Sequence, residues 1–517
     1  MATICLVHLT YYDKALGAEV VYRACTGTGF VTGTDAAYRP PGVPAHTWYA
    51  PRIVQPALMR RDCFQRGTTG GESQVGVGEM IFGNVDGALD AWPDHGFDGR
   101  AVEVIVGHMA PFAAPTWTTV LTGTMEQPRF GLDQIAIRLR DRQAALDVPL
   151  LPGRYRGTNE LPAGLDGVAA DLAGKPIPAC YGRAYNVPAP LVNTARLIYQ
   201  VGGTAVAAYD RGLALTRGTD YADQAAMEAT APAAGQYRAW PAGGYARLGS
   251  VPAGQVTFDV EQAAPANRTA AQIASTIATG PGGIAGGDVV AADVAALDTA
   301  APGELGLWID SDTTCRAALD QVLGSVGAWW GFDRLGRLRM ARLDAPSAAE
   351  SVATLDASVI DEIERVASAD AGGGLPAWRA TLRYRRRWLT QESDLAGAVT
   401  DARRAELREP WQTVLAEDAG VKTAHPLAAD LDWESLLVEQ ADAQAEVDRR
   451  LALYRVRRDR YEVRVKLDGA ALFETIDLGV AVLLQHPRYD LAAGKPMRII
   501  GIQADLRAGT YRLTLWG

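Results

Sequence analysis

The chain has 517 residues, of which 48% are hydrophobic and 21% are charged, and its formal net charge at pH 7 is -10. This composition is typical of a folded globular protein, and the length predicts roughly three structural units at about 150 residues each. The negative charge argues against a nucleic-acid coat, because phosphate binding needs a surplus of Lys and Arg facing the ligand.

The amino-terminal sequence lacks the basic start and apolar stretch of a secretion signal, so we expect no targeting segment. No run approaches the ~20 apolar residues of a transmembrane helix, so we expect no direct contact with a membrane. The five cysteines show no CxxC pair and are predicted to be small core residues and not disulfide or zinc ligands. They are Cys5, Cys25, Cys63, Cys180 and Cys315.

Residues 1–151 contain short alternating runs separated by Gly, Pro and Asp. Examples are Val102–Val106 and Ile135–Leu139. Period-two alternation predicts half-buried strands, so this region is expected to be a β-barrel or sandwich domain. Pro111–Trp117 interrupts two runs, and its prolines favour a surface loop there.

Residues 152–262 are rich in Ala, Gly and Pro, yet apolar and aromatic residues recur in Leu197–Val201 and Val256–Val260. This pattern predicts strands joined by loops. We expect an inserted or peripheral β-module, because its small side chains bury less apolar area per residue than the flanking regions.

Residues 263–433 are predicted to form an α+β domain. A helix is expected over Arg268–Ala278, with Ile273 and Ile277 on one face, and Gly280–Gly287 should end it.

A helix-hairpin unit is predicted over 313–342. The helix runs from Thr313 to about Val326, and Asp312 is the expected cap. The hairpin covers Ala328–Met340, with its turn at Asp333–Gly336.

Residues 434–517 are predicted to be a long helix followed by a small β-domain. The helix is expected from about Glu434 to Tyr454, with acidic residues first and basic residues last, which complements the helix dipole. Strands are expected at Tyr461–Leu467, Arg498–Ile502 and Tyr511–Trp516.

The sequence offers little catalytic chemistry. The six histidines have no HxxxH or HxH spacing, and there is no GxSxG elbow. The glycine-rich stretches Gly67–Gly71 and Gly280–Gly287 invite comparison with a phosphate cradle, but neither has the lysine of a P-loop, and we favour a turn or linker. We therefore predict no catalytic, cofactor-binding or metal-binding residues, and no cofactor.

Two clusters allow alternative interpretations. Asp361, Glu362 and Glu364 could act as acid and base or hold a cation, but we favour a solvated helix start. Arg383–Trp388 suits stacking on single-stranded nucleic acid, but we favour arginines paired with the acidic surplus of this chain or a neighbouring subunit.

In the doublet Trp329–Trp330, consecutive strand residues face opposite ways, which predicts one core and one interface residue.

Several ordered blocks resemble tail-tip or baseplate hub proteins of tailed phages and gene transfer agents. The carboxyl-terminal block comprises Phe473–Val480, Leu484–Tyr489, Met497–Ile502 and Leu513–Gly517. A second block is Cys315–Arg342. A third is Asp210–Tyr221 with Gly243–Gly254, which is similar to a module of phage tail proteins.

The resemblance implies a mainly β, multidomain fold with a few helices (α+β) and domains of barrel or sandwich type. It also implies a structural, non-enzymatic virion protein at the tail tip, assembled in the host cytoplasm, as in phages with long non-contractile tails. Its partners would be sister subunits in a trimer, the distal tail or tail tube protein, the central fibre or spike, and the tape measure protein. DNA would pass through the assembled channel.

Two other functions stay open at this level. One is an enzyme that degrades cell-wall or polysaccharide material, with Asp361, Glu362 or Glu364 as acid and base. The other is receptor binding through the module of 152–262.

Overall fold

The computed structural model describes residues 2–109, 114–466 and 474–517. Strands dominate it, and seven α-helices lie in the described ranges, so the predicted mainly β (α+β) fold is confirmed. Phe473, Leu467 and residues 111–113 of the predicted loop lie outside the described residues, while Thr116 and Trp117 begin a strand.

The strands are numbered in chain order. The first ten are β1 (Ala2–Asp13), β2 (Ala18–Cys25), β3 (Phe30–Val31), β4 (Trp48–Tyr49), β5 (Ile53–Asp62), β6 (Gln74–Gly83), β7 (Ala101–Met109), β8 (Thr116–Met125), β9 (Arg129–Phe130) and β10 (Gln134–Arg140). The next nine are β11 (Ala179–Val187), β12 (Leu191–Asn193), β13 (Ile198–Gln200), β14 (Thr204–Asp210), β15 (Leu213–Ala214), β16 (Thr216–Arg217), β17 (Gln236–Trp240), β18 (Tyr245–Leu248) and β19 (Val256–Glu261). The last twelve are β20 (Gly306–Ile309), β21 (Ala328–Phe332), β22 (Leu338–Arg342), β23 (Ser351–Leu355), β24 (Ile360–Arg365), β25 (Ala377–Tyr384), β26 (Gln412–Glu417), β27 (Ala429–Glu434), β28 (Arg460–Lys466), β29 (Ala481–Leu484), β30 (Lys495–Asp505) and β31 (Thr510–Trp516).

The helices complete the element order. They are α1 (Gln224–Ala229), α2 (Ala270–Thr279), α3 (Ala291–Ala300), α4 (Cys315–Gly324), α5 (Asp401–Arg408), α6 (Ala419–Ala424) and α7 (Gln440–Tyr454). Within the described residues, no helix is long and apolar enough to cross a membrane.

One large sheet joins the two ends of the chain. Its strand order is β2-β1-β7-β8-β10-β6-β5-β30-β31-β28-β24, with β9, β23 and β29 attached beside this path. In β10 the alternation predicted from sequence is seen directly, since Ile135, Ile137 and Leu139 are fully buried. The path does not return to its start among the described strands, so the sheet is not a closed barrel.

The junction between β5 and β30 is antiparallel, with Leu58 opposite Asp505 and Asp62 opposite Gly501. A side chain at position 501 would meet Asp62, because a Cβ there would lie 2.3 Å from its Oδ1 atom. A larger residue at position 501 would therefore have to displace the Asp62 carboxylate.

The hydrophobic core follows the same connection. Its largest cluster combines side chains from β1, β7 and β10 with side chains from β28, β30 and β31. Residues from 1–151 and from 434–517 thus share one sheet and one core. The four predicted domains and their boundaries remain predictions.

The middle of the chain forms two five-stranded sheets, as expected for strands joined by loops. Their orders are β15-β14-β19-β11-β20 and β12-β13-β18-β17-β16. β20 pairs with β11 over Ala179–Gly182, which connects the Gly-rich module to the segment after it. Phe258 and Tyr237 are fully buried in the cluster of this region.

The helix-hairpin unit has the predicted form with one correction. α4 is capped by Thr314, whose Oγ1 atom accepts from the backbone N–H of Ala317 at 3.2 Å. Asp312, the expected cap, lies two residues earlier and pairs with Arg154. A cap must directly precede the first helical residue, which Asp312 does not.

The two tryptophans of the hairpin face opposite ways, as predicted, but neither lies at an interface. Trp329 packs into the large cluster shared by the chain ends. Trp330 packs into the helical cluster, and its Nε1–H donates to Asp320 at 2.8 Å. The expectation of one interface residue is therefore wrong, because a core lies on each face of β21.

The long helix begins later than predicted. Residues 429–434 form β27, which pairs in parallel with β25, and α7 starts at Gln440. Between them Leu436, Leu437 and Val438 are buried in extended backbone. Tertiary pairing of this segment overrides its helical periodicity.

Substitution of Leu319 in α4 tests the helical cluster. Leu319 is fully buried, so Leu319→Ala should lower the free energy of unfolding by about 2 to 5 kcal/mol. Leu335→Ala is the matched control, because Leu335 is exposed in the hairpin turn, and it should change the value by less than about 0.5 kcal/mol. Chemical denaturation measures both, and equal losses would contradict the assigned packing.

The cysteines provide a second test. All five are buried, and burial raises the pKa of Cys5 and Cys180 to about 12. Because the thiolate is the reactive form, the native protein at pH 8 should release no thionitrobenzoate from Ellman's reagent within minutes. In guanidinium chloride it should release five equivalents. Rapid reaction of the native chain would show that a thiol is accessible.

Candidate functional site

A cavity of about 590 Å³ opens where the amino-terminal segment, α7 and the start of β28 meet. Six arginines and two aspartates line it, which makes it locally basic in an acidic chain. We call it the arginine cavity. Its charged lining residues are Arg365, Arg449, Arg450, Arg457, Arg458, Arg460, Asp370 and Asp459.

Three parts of the chain bring these side chains together. The last turns of α7 supply Arg449 and Arg450, and the connection from α7 into the start of β28 supplies the next four charged residues. The end of β24 and the segment after it supply Arg365 and Asp370. The loop between β5 and β6 contributes the glycine-rich wall of residues 68–71.

Glu446 holds two of the arginines in place. It is 6% exposed, and its Oε1 atom accepts from Arg450 Nε at 2.6 Å and from Arg449 Nη2 at 2.7 Å. Burial acts to lower the pKa of Arg449, but hydrogen bonds to Glu446 raise it overall. The guanidinium of Arg450 also lies 5.0 Å from the ring centre of Trp433.

Asp370 fixes the glycine-rich loop. Its Oδ1 atom accepts from the backbone N–H of Thr69 at 2.7 Å, and its Oδ2 atom accepts from the Thr69 hydroxyl at 2.8 Å. Thr69 Oγ1 lies 3.0 Å from the hydroxyl of Tyr454, at the end of α7. Gly67–Gly71 is thus a turn, as favoured from sequence, and it is tied to the cavity wall.

Asp459 is already paired with basic side chains of the same chain. It pairs with Arg365 and accepts from Lys495 Nζ at 2.7 Å, and these contacts lower its pKa against the opposing effect of burial. Asp370 is engaged by Thr69 and Ser368. The two lining carboxylates therefore do not neutralise the whole set of arginines.

Arg458 and Arg460 make no ion pair with any described carboxylate. Arg458 donates through Nε to the carbonyl oxygen of Leu453 at 3.0 Å and lies over the ring of Trp516. Arg460 is 6% exposed, and its buried Nη1 atom has no hydrogen-bond partner among the described residues. Burial lowers the pKa of both guanidinium groups.

The candidate carboxylates lie elsewhere and are exposed. Asp361, Glu362 and Glu364 belong to β24, so the expected helix start is wrong. Pairing with β28 holds this segment extended.

Basic residues of neighbouring strands engage two of these carboxylates. Lys466 Nζ lies 2.8 Å from Asp361 and lowers its pKa, and Arg464 Nη2 lies 3.1 Å from Glu362. Glu364 lies opposite Glu462 in the strand register. Asp361 and Glu362 thus form cross-strand charge pairs on an exposed face of the sheet, and Glu364 faces a residue of like charge.

The run Arg383–Trp388 is an intramolecular ion-pair network, the interpretation favoured from sequence. Arg383 pairs with Asp432 and Glu434 of β27, both at 3.1 Å. Arg385 pairs with Glu439, and Arg387 with Glu406 at 2.6 Å. Arg386 lies over the rings of Trp388 and Trp411. Three of the four guanidinium groups are therefore matched by acids of the same chain.

The described residues contain no group of three or more His, Cys, Asp or Glu side chains placed to hold a metal ion. His8 illustrates the structural use of histidine in this chain, since its ring nitrogens lie 2.8 Å from Glu103 Oε2 and 2.6 Å from the hydroxyl of Tyr49.

The cavity residues were not found from sequence. Their six arginines come from two segments about 80 residues apart, and two of them, Arg449 and Arg450, were interpreted only as the basic end of a helix. The local signals were the glycine-rich loop and the density of arginine in 449–460. Neither shows that the two segments meet.

Comparison with known proteins gives structural matches only. The chain matches no protein-family model, and no curated protein matches its sequence significantly. The tail protein of Neisseria meningitidis MC58 is 11% identical and has a TM-score of 0.43, and the match covers 100% of this chain and 97% of that one. The 43 kDa tail protein of prophage MuSo2 from Shewanella oneidensis is 12% identical and has a TM-score of 0.41, with coverage of 91% and 96%.

A third match is to a chain in the virion of a native gene transfer agent particle. It is 19% identical with a TM-score of 0.41, covering 72% of this chain and 91% of that one. The solved structures similar to this chain are thus tail proteins and a component of a gene transfer agent particle. This is the class that the sequence resemblance predicts.

Removal of the Glu446 carboxylate tests the cavity framework. Glu446→Ala leaves the buried guanidinium of Arg450 without its carboxylate partner and leaves the half-buried Arg449 with Asp344 alone, so it should lower the free energy of unfolding by about 3 to 5 kcal/mol. Glu362→Ala removes an exposed ion pair and should cost less than about 1 kcal/mol. Denaturant titration distinguishes them, and a Glu446 variant as stable as the Glu362 variant would contradict the assignment.

Proposed function

We propose that this chain is a structural protein of a phage-like tail tip, a baseplate hub that assembles as a homotrimer. It connects the tail tube to the central fibre or spike and helps to form the channel through which DNA leaves. The tape measure protein is a further partner in this proposal. It has no catalytic role.

The observation that carries the proposal is the open main sheet with apolar side chains on its free edges. β2 ends the sheet on one side, and Val21 on it is 40% exposed. Among the described strands β23 pairs with β29 alone, and its Val352 is 51% exposed. An edge strand of this kind presents unpaired backbone groups beside apolar area, which favours pairing with another chain.

The outer edge of β2 is only partly covered within the chain. Ala50 bonds the backbone of Arg23 and Cys25, while no described strand pairs with the outer side of residues 18–22. A smaller three-stranded sheet repeats the pattern, since its edge strand β26 carries the exposed Leu415. Several such edges on one chain suit a subunit with more than one protein neighbour.

The sequence blocks that resemble hub proteins support the same proposal. The carboxyl-terminal blocks fall on or beside β29, β30 and β31, and β30 and β31 lie in the centre of the main sheet. The block at Cys315–Arg342 is the helix-hairpin unit that contacts both large cores. These two blocks are thus parts of the structural framework of the chain.

The assignment of a non-catalytic role rests on how the candidate groups are used. The exposed carboxylates of β24 contact basic residues of adjacent strands. The tryptophan doublet is buried on both faces. These side chains make contacts within the folded chain, which supports a structural role.

Oligomeric state tests the proposal. The purified chain should behave as a trimer of about 165 kDa in light scattering coupled to size exclusion, three times its own 55.0 kDa. Val21→Lys places a charge on the free edge of β2 and should shift the population toward monomer. Val251→Lys, at an exposed loop position, is the control and should leave the trimer intact.

The location of the chain in the particle provides a second test of the proposal. Gold labelling of the chain in isolated tails should mark the distal tip. A chain that is strictly monomeric at all concentrations and absent from tails would overturn the proposal. A wild-type trimer unaffected by Val21→Lys would overturn only the role of the β2 edge.

A further inference from the structure

We propose that the arginine cavity is a binding site for a phosphate-class oxyanion, carried by a small ligand. The site lies within one chain and does not depend on the proposed role in a tail.

The first argument is the local charge. Six arginines and two aspartates line the cavity, although the whole chain has a net charge of -10. Asp370 and Asp459 already have partners within the protein. Buried charges are normally paired, so the buried Arg460, which makes no ion pair with a described carboxylate, indicates a missing anion. The half-buried Arg458 adds a second cation without a carboxylate partner among the described residues.

The second argument is an unsatisfied donor. Arg460 is 6% exposed, and its Nη1 atom has no acceptor among the described residues. A buried donor without an acceptor is costly and is satisfied when an oxyanion enters. Guanidinium groups match phosphate oxygens because their N–H groups form a rigid fork.

The glycine-rich loop of residues 68–71 also lines the cavity. Among the described residues, no backbone carbonyl accepts a hydrogen bond from the amides of Gly70 and Gly71. A Cβ at either position would meet nothing within 4 Å, so the backbone there is open to a ligand. Backbone amides of this kind complement arginines around a phosphate group.

Size and walls define the ligand class. The cavity volume of about 590 Å³ lies in the range of small-molecule sites, roughly 300 to 1,000 Å³, and exceeds the needs of a bare ion. Trp433 and Trp516 line it and hold Arg450 and Arg458 against their faces. The oxygens of a tetrahedral phosphate group can accept hydrogen bonds from more directions than the oxygens of a planar carboxylate. A phosphate ester with an apolar body fits these features.

Calorimetric titration of the full-length chain with inorganic phosphate and with pyrophosphate, at fixed ionic strength, tests the site. The wild type should bind with one saturable site per chain. Arg458→Gln and Arg460→Gln should each weaken binding at least tenfold. Arg455→Gln is the matched control, since Arg455 is exposed just after α7 and does not line the cavity, and it should bind as the wild type does.

Thermal unfolding of the wild type supplies a readout that does not depend on a variant. Phosphate should raise Tm by several degrees over sodium chloride of equal ionic strength, because a ligand that binds only the folded state stabilises it. Absence of saturable binding, or equal binding by all four proteins, would overturn the proposal. A glutamate-rich peptide that binds where phosphate and pyrophosphate do not would also overturn it, and would assign the cavity to an acidic protein segment.

Discussion

The backbone pairing of β5 with β30 is the constraint on which the main architecture depends. Five consecutive residue pairs, from Gly501 opposite Asp62 to Asp505 opposite Leu58, turn two groups of strands into one sheet. The pairing brings together segments more than 430 residues apart, so its loop-closure entropy must be offset by the apolar area that both segments bury. The shared core supplies that area. Because β30 is made long after β5, β5 stays without this neighbour until residues 495–505 have emerged from the ribosome.

Charge is organised by the same framework. The chain contains 50 basic Lys and Arg residues against 60 acidic ones, and ion pairs such as Arg383–Asp432 and Arg464–Glu362 join neighbouring strands. Such cross-strand pairs at the surface contribute little to stability, but they set which strands lie side by side. The arginine cavity departs from this pattern, because its cations converge from separate segments and outnumber the acids beside them. The departure is what makes it a candidate for a ligand.

The sequence pattern predicted strands, helices and turns well where interactions between neighbouring residues determine the structure. The alternation in 135–139, the apolar pair Ile273 and Ile277, and the turn at Asp333–Gly336 all appear as expected, since period and turn chemistry are properties of neighbouring residues. The errors occurred where distant partners compete with local preference. The helix expected from Glu434 begins only at Gln440, because Glu434 pairs with β25 and Leu437 forms a bridge with Leu305. Asp361–Glu364 are extended because they pair with β28. The cavity lay beyond prediction, since its walls are neighbours only after the chain ends have met.

The hairpin of β21 and β22 connects two hydrophobic cores. Neighbouring indoles of Trp329 and Trp330 are anchored in different clusters, with only the thickness of one strand between them. A rotation of this strand about its own axis would pull both side chains out of their packing at once. The two hydrophobic cores are therefore coupled through β21, so that a displacement of one core also moves the other.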